Sequence, residues 1–197
     1  MAEPSRSSAR VIAVANQKGG VGKTTTAINL ATAMAATKKT VLIIDLDPQG
    51  NASTGLGIDR GAREVNSYHV MLGEAALADA VISTSIPGLS VVPSGVDLSG
   101  AEIELVEFER REHRLKESLV GSLGAYDYVL IDCPPSLNLL TLNALVAAHA
   151  VMVPLQCEFF APGRRQPSDQ DHRAGAAGLQ SRSGIAGHHP HHVRQAQ

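Results

Sequence analysis

The sequence predicts an α/β protein with a doubly wound, mostly parallel sheet. Three observations carry that prediction. Apolar runs such as Val41-Leu42-Ile43-Ile44 and Tyr128-Val129-Leu130-Ile131 recur, and unbroken runs of this kind suit strands covered on both faces. Segments of helical spacing separate them, which makes parallel pairing the natural connection. A glycine-rich loop also links the first apolar run to the first helical segment, at the sheet edge where ligands of such folds bind.

In chain order, strands are expected at 10–15, 40–46, 89–92, 126–132 and 149–155, and helices at 23–36, 67–72, 74–82, 98–120 and 137–147. The pattern stops near residue 161. The last 37 residues hold no lysine, glutamate or aromatic side chain, and Leu179, Ile185 and Val193 are their only large aliphatics. That is too little apolar surface to offset the entropy of ordering the segment. The expected organisation is a disordered N-terminus at 1–9, one nucleotide-binding domain at 10–160 and a disordered tail at 161–197. The cluster His188-His189-Pro190-His191-His192 in that tail has no ligand spacing and reads as a polar end rather than a metal tract.

Composition excludes several classes. A formal charge of −2 and a pI near 6.4 give no global basic field, so nucleic-acid binding would need a local patch. The two cysteines, Cys133 and Cys157, form neither a C-x-x-C pair nor a disulfide framework, which suits a reducing compartment. The polar start has no signal-peptide core, and no run of eighteen apolar residues exists to span a membrane. A cytoplasmic protein is expected.

Three loops carry chemistry. In Asn16-Gln17-Lys18-Gly19-Gly20-Val21-Gly22-Lys23-Thr24-Thr25-Thr26, the backbone from Gly19 through Val21 to Gly22 can turn its N–H groups toward phosphate oxygens, and the next helix adds its positive end. Lys23 would reach the β- and γ-phosphates, the Thr24 hydroxyl would coordinate magnesium and Thr25 would cap the phosphate side. This is a phosphate-binding loop of the P-loop NTPase type, expected to take ATP and Mg2+. It departs from G-x-x-x-x-G-K-[ST] at Gln17, which replaces the first glycine, and at the second lysine, Lys18. The second loop, Asp45-Leu46-Asp47-Pro48-Gln49-Gly50-Asn51, sends two carboxylates off one side of a strand end. They could orient a water or hold magnesium through water, or merely cap a turn that Pro48 and Gly50 favour. The third, Asp132-Cys133-Pro134-Pro135-Ser136, places an aspartate at a buried strand end. That is the second magnesium position of a P-loop protein, or a helix N-cap. Cys133 lacks a base pattern and reads as a packed residue rather than a nucleophile.

These loops, with Asn51-Ala52-Ser53-Thr54-Gly55-Leu56-Gly57-Ile58 and Val153-Pro154-Leu155-Gln156-Cys157-Glu158-Phe159-Phe160, resemble the ParA/Soj chromosome-partitioning ATPases over residues 10–160. KGGVGKTTT is shared with the wider deviant-Walker group, including MinD, arsenite-pump ATPases and the nitrogenase iron protein, whereas DLDPQGNAS and IDCPPS narrow it to ParA. The resemblance implies an ATP-dependent homodimer that binds DNA nonspecifically, with hydrolysis stimulated by a ParB-type partner. It implies that Lys18 reaches the partner's nucleotide and that Gly19 permits close approach of two subunits. It also implies that Asp47 positions the attacking water, that Asp45 accompanies it near magnesium and that Asp132 is the Walker-B aspartate. A MinD-like regulatory ATPase is the runner-up, less favoured because the tail has no apolar stripe for a membrane helix.

The resemblance fails after Ala161. Relatives continue with LEG and a helix, where this chain reads PGRRQPSDQDHRAG. Dropping one nucleotide after the Ala161 codon, with permitted codon choices downstream, restores ALEG followed by an amphipathic helix, a loop and an apolar strand. The expectation is a frameshift that replaces the family's C-terminal part, leaving the sheet incomplete. An inactive remnant that at most binds nucleotide is therefore the other functional reading.

Overall fold

The computed structural model describes residues 9–156. Its strands are β1 (Arg10–Val14), β2 (Val41–Asp45), β3 (Ile82–Ser83), β4 (Leu89–Val92), β5 (Tyr128–Asp132) and β6 (Ala150–Met152). Its helices are α1 (Lys23–Ala36), α2 (Asn51–Gly55), α3 (Ser67–Leu72), α4 (Leu77–Ala80), α5 (Leu98–Glu104), α6 (Arg114–Leu119) and α7 (Leu139–Ala147), with single 3-10 turns at Arg60–Ala62, Leu105–Glu107 and Arg111–His113. The strands form one sheet in the order β3-β4-β2-β5-β1-β6. Every pairing is parallel except that of β3 with β4.

Alternation along the central strands builds two cores. Leu42 and Ile44 of β2 join Val129 and Ile131 of β5 on one face, with α3, α5, α6 and α7 supplying Met71, Leu98, Leu115 and Leu140. Val41 and Ile43 point the other way with Leu130, against Ala31 and Ala35 of α1 and Ala52 of α2. All five residues of β2 are buried, and each apolar one contributes about 2 kcal/mol by leaving water. The side of α1 turned to the sheet carries Ala27, Ala31 and Ala35 at intervals of four, small residues that let the helix sit close. The doubly wound reading holds.

The order of strands places the chemistry. β5 lies between β1 and β2, and their carboxyl ends are in register: Val14 and Asp45 both pair with Asp132. The loops that follow β1, β2 and β5 therefore open on the same edge of the sheet.

Several elements depart from expectation. The expected helix at 98–120 is broken into α5, two 3-10 turns and α6, with Phe108 extended and Arg110 at φ 53°. A continuous helix of that length would run about 34 Å, against about 17 Å for a five-residue strand. The break lets Leu105 and Leu115 both bury completely. The helix at 74–82 shrinks to α4, because the Glu74 and Ala75 amides return to the His69 carbonyl and cap α3 instead. The β-branched run after it becomes the antiparallel edge strand β3. The short helix α2 has no sequence periodicity to announce it. The strand at 149–155 stops at Met152, two residues before Pro154, whose missing N–H cannot serve a ladder. The expectations for the N-terminal eight residues, the tail, its histidine cluster and the frameshift lie outside the described residues.

Candidate functional site

The first loop reaches α1 through Gly22, the N-cap, at φ 81°. A side chain at that angle would be strained, so glycine is required. No side chain caps α1, so its first-turn amides are left for an anion. A Cβ added at Gly19, Gly20 or Gly22 would meet nothing within 4 Å, so the cradle opens outward. Beneath it Val21 is buried. Lys23, 7% exposed, donates from Nζ to the Lys18 carbonyl at 3.4 Å.

Two side chains tie this loop to the chain after β6. Asn16 accepts from the Lys18 amide at 2.9 Å and donates to the Pro154 carbonyl at 2.8 Å, while Gln156 donates to the Gly20 carbonyl at 3.0 Å. Sequence reasoning quoted both residues inside motifs and gave neither a role.

A cleft of about 290 Å3 brings Gly19, Gly20, Gly22, Lys23, Thr24 and Thr25 together with Asp47, Gln49, Asn51 and Pro135. Three loops that are distant in sequence thus share one opening. Lys18 lies exposed beside the cradle. Asp47, 7% exposed, accepts from the Gln49 amide at 3.0 Å, which fixes the turn that presents it.

The other two carboxylates lie below the cleft and differ sharply. Asp45 is fully buried and saturated: Oδ2 accepts from the Ser53 amide at 2.8 Å and hydroxyl at 2.7 Å, and Oδ1 from the Asp47 amide at 3.1 Å. Burial pushes its carboxyl up to about 6, and these hydrogen bonds hold it from rising further. Asp132 is equally buried, yet among the described residues neither of its oxygens has a hydrogen-bond partner. Burial pushes it up to about 7. The Thr24 hydroxyl is close enough to oppose the rise, though outside good hydrogen-bond geometry, and the negative charges of Asp45 and Asp47 outweigh the help of Lys23.

A buried carboxylate with both oxygens unused is costly unless something pairs with it. A hard divalent cation beside a threonine hydroxyl and an aspartate, under a cradle for phosphates, is the pairing this donor set fits. The residues present therefore fit magnesium with a nucleoside triphosphate. Cys133, next along the chain, is 1% exposed with its thiol pushed up to about 12 by burial. At that value it carries no thiolate and packs as a small apolar residue.

Beyond the cleft, Ser53, Arg63 and Ser94 are buried polar residues that sequence reasoning did not assign. Ser53 stood inside a quoted motif without a function. Arg63, three residues after Arg60 in a polar stretch, carried no periodic or motif signal.

Comparison with known proteins agrees with this geometry. Residues 9–164 match the AAA_31 family, an AAA domain. The chain is 62% identical over 154 residues to the chromosome partitioning protein ParA of Caulobacter vibrioides, covering 77% of this chain and 58% of that protein. It is 49% identical over 152 residues to the sporulation initiation inhibitor protein Soj of Bacillus subtilis, covering 77% and 60%. Among solved structures, the cobyrinic acid a,c-diamide synthase of Mycobacterium smegmatis with a bound ATP analog and magnesium superposes with a TM-score of 0.74 at 43% identity, over 88% of this chain and 69% of that one. A plasmid partition protein from Borrelia burgdorferi does so at 0.68 and 31%, over 78% and 68%. The chain spans about 58% of the length of the ParA protein it matches.

Proposed function

The chain belongs to the AAA_31 family and, within it, to the ParA/Soj chromosome-partitioning ATPases, and on that premise we propose that it binds ATP with magnesium and uses it as a switch in DNA partitioning. The observation that carries the reading is Asp132, buried with both oxygens unpartnered beneath the glycine cradle and beside Thr24. Magnesium supplies charge neutralisation of the phosphates there. Lys23 and the α1 amides would hold the phosphate oxygens and Thr24 and Asp132 the cation, while Asp45 anchors the Asp47 amide from beneath. Asp47 stands at the cleft mouth, where its carboxylate can accept a hydrogen bond from water and orient it for in-line attack.

Lys18 is the residue that would act across a nucleotide-dependent homodimer. Its amide is anchored by Asn16, which leaves the loop rigid while the side chain extends from an exposed position. Placed beside a second copy's phosphates, the ammonium adds positive charge where negative charge develops. ParB-stimulated hydrolysis, nonspecific DNA binding and a cytoplasmic, nucleoid-associated location complete the reading by family. Among the described residues no helix is long and apolar enough to cross a membrane.

A second reading is a nucleotide-binding core without turnover. It is favoured by Val151 of the edge strand β6 and by Val153 and Leu155 just after it, which remain half or more exposed. Titration of the full chain with a fluorescent ATP analogue, with and without magnesium, together with phosphate release and light scattering, tests both. Magnesium-dependent binding lost in Lys23→Ala, a doubled mass with ATP and measurable release support the switch. Binding without dimerisation or release supports the core alone, and no binding rejects both.

A further inference from the structure

Arg63 follows the 3-10 turn Arg60–Ala62 and is 8% exposed. A guanidinium has five N–H donors in a rigid fork, and here every nitrogen is engaged. Nε and Nη2 donate to the Ile58 carbonyl at 3.2 and 2.6 Å, and Nη2 also to the Thr54 hydroxyl at 2.8 Å. Nη1 donates to the Gly50 carbonyl at 3.4 Å and the Ser94 carbonyl at 3.2 Å. Gly50 belongs to the loop after β2 and Ser94 to the loop after β4. Its buried charge is spent on carbonyls of separate chain segments.

We propose that Arg63 is a positioning residue for Asp47: one guanidinium nitrogen joins the Gly50 and Ser94 carbonyls, so the loops after β2 and β4 move as one piece and hold the Asp47 carboxylate at the cleft. The inference rests on the nucleotide-site reading above for the purpose of Asp47, though not for the clamp itself.

The hydrogen bonds close into a circuit. The Gly50 amide donates to the Asp47 carbonyl at 2.8 Å and the Asp47 amide to Asp45 Oδ1 at 3.1 Å. Asp45 Oδ2 accepts from Ser53, whose hydroxyl accepts from the Ser94 amide at 3.0 Å. Ser94 returns to Arg63 and Arg63 to Gly50. Asp47 is thus fixed on one side through Asp45 and on the other through Gly50, and Arg63 is the member that completes the second arm. Gly50 sits at φ 64°, and a Cβ there would collide with Arg63 Nη1, so the backbone makes room for the clamp. Lysine cannot replace it, because a single ammonium has neither the fork nor the reach to serve carbonyls in three directions.

The test uses the full chain as wild type, Arg63→Lys and the milder Thr54→Val, which removes at an exposed position one acceptor of Arg63 and the hydroxyl that donates to the Gly50 carbonyl at 2.9 Å. Amide hydrogen exchange without nucleotide reads the clamp directly. The expected result in Arg63→Lys is amide exchange faster by roughly tenfold or more at residues 47, 49–53, 94 and 95 together, with the amides of β1, β2 and β5 unchanged and a smaller rise of the same pattern in Thr54→Val. A rise confined to the neighbourhood of Arg63, or one spread evenly over the sheet, overturns the proposal. Nucleotide then separates positioning from folding: ADP affinity without magnesium stays within about twofold, while ATP turnover falls by more than about tenfold. Equal losses in both, or none in turnover, overturn the role toward Asp47. If the wild type binds no nucleotide, the proposed function fails, and the exchange pattern still decides whether Arg63 joins the two loops.

Discussion

Asp45 and Asp132 are register partners at the ends of neighbouring parallel strands, both fully buried, and the fold treats them oppositely: Asp45 accepts three hydrogen bonds and Asp132 accepts none. One is a structural anchor. The other keeps its desolvation unrelieved by the described residues, and on the proposed reading this asymmetry makes the site's stability depend on pH and on what it binds.

Both carboxyls have folded values raised above the ordinary 3.8, to about 6 and about 7. Below about pH 3 they are neutral in both folded and unfolded chains. Between that point and about pH 7 the unfolded chain gives up its protons first, so it binds fewer protons than the folded one and stability falls as pH rises. Magnesium with ATP reverses the loss by pairing with the ionised Asp132. The melting temperature of the free chain is expected to drop from pH 5 to pH 7.5, and the upward shift given by ATP with magnesium to be larger at pH 7.5 than at pH 5.5. Equal shifts at the two pH values would show that Asp132 is not the cation's ligand.

Ser53→Ala removes two roles of one hydroxyl. It takes a 2.7 Å donor from Asp45 and leaves the Ser94 amide without its acceptor. A buried group left unsatisfied costs about 1–3 kcal/mol, so urea unfolding at pH 7.5 is expected to show a loss in that range. The loss should shrink at pH 5, where Asp45 is mostly protonated and depends less on the donor. A mutant as stable as wild type at both values would remove the anchor role from Asp45.

The sheet was legible because buried parallel strands leave apolar runs that nothing else explains, and the first-loop glycines were legible because a phosphate cradle demands them. The anchor role of Asp45 was not. Sequence spacing puts Asp45 and Asp47 on one side of a strand end, but it does not reveal that Ser53, eight residues later, will fold back to occupy the first. Arg63 was invisible for the same reason: its partners at Gly50, Ile58 and Ser94 meet only in three dimensions. The break in the helix at 98–120 escaped because Phe108-Glu109-Arg110-Arg111 contains no glycine or proline, and Arg110 itself takes the left-handed turn.

That turn gives a stability prediction. At φ 53° a non-glycine residue pays a steric cost of about 1 kcal/mol. The Arg110–Glu117 ion pair at 3.3 Å is two-thirds exposed on the arginine side, and contacts of that kind contribute little. Arg110→Gly is therefore expected to stabilise the chain by about 0.5–1 kcal/mol despite losing the ion pair, measured as a higher urea midpoint. A lower midpoint would mean that the ion pair outweighs the backbone strain.

Asp47 and Lys23 should separate binding from turnover. Lys23 is buried beside the cradle and its charge acts on Asp132; on the proposed reading it also meets the phosphates, so Lys23→Ala is expected to weaken ATP binding by at least about tenfold. Asp47 lines the cleft from the loop after β2, and its carboxylate accepts from the Gln49 amide of its own turn. Asp47→Ala is therefore expected to bind ATP with magnesium within about threefold of wild type, while phosphate release falls by about a hundredfold or more. With hydrolysis blocked, the ATP-bound dimer should accumulate and persist on sizing. Turnover unaltered in Asp47→Ala would remove Asp47 from the reaction. Binding lost in that mutant would instead make it a ligand of the nucleotide or its cation.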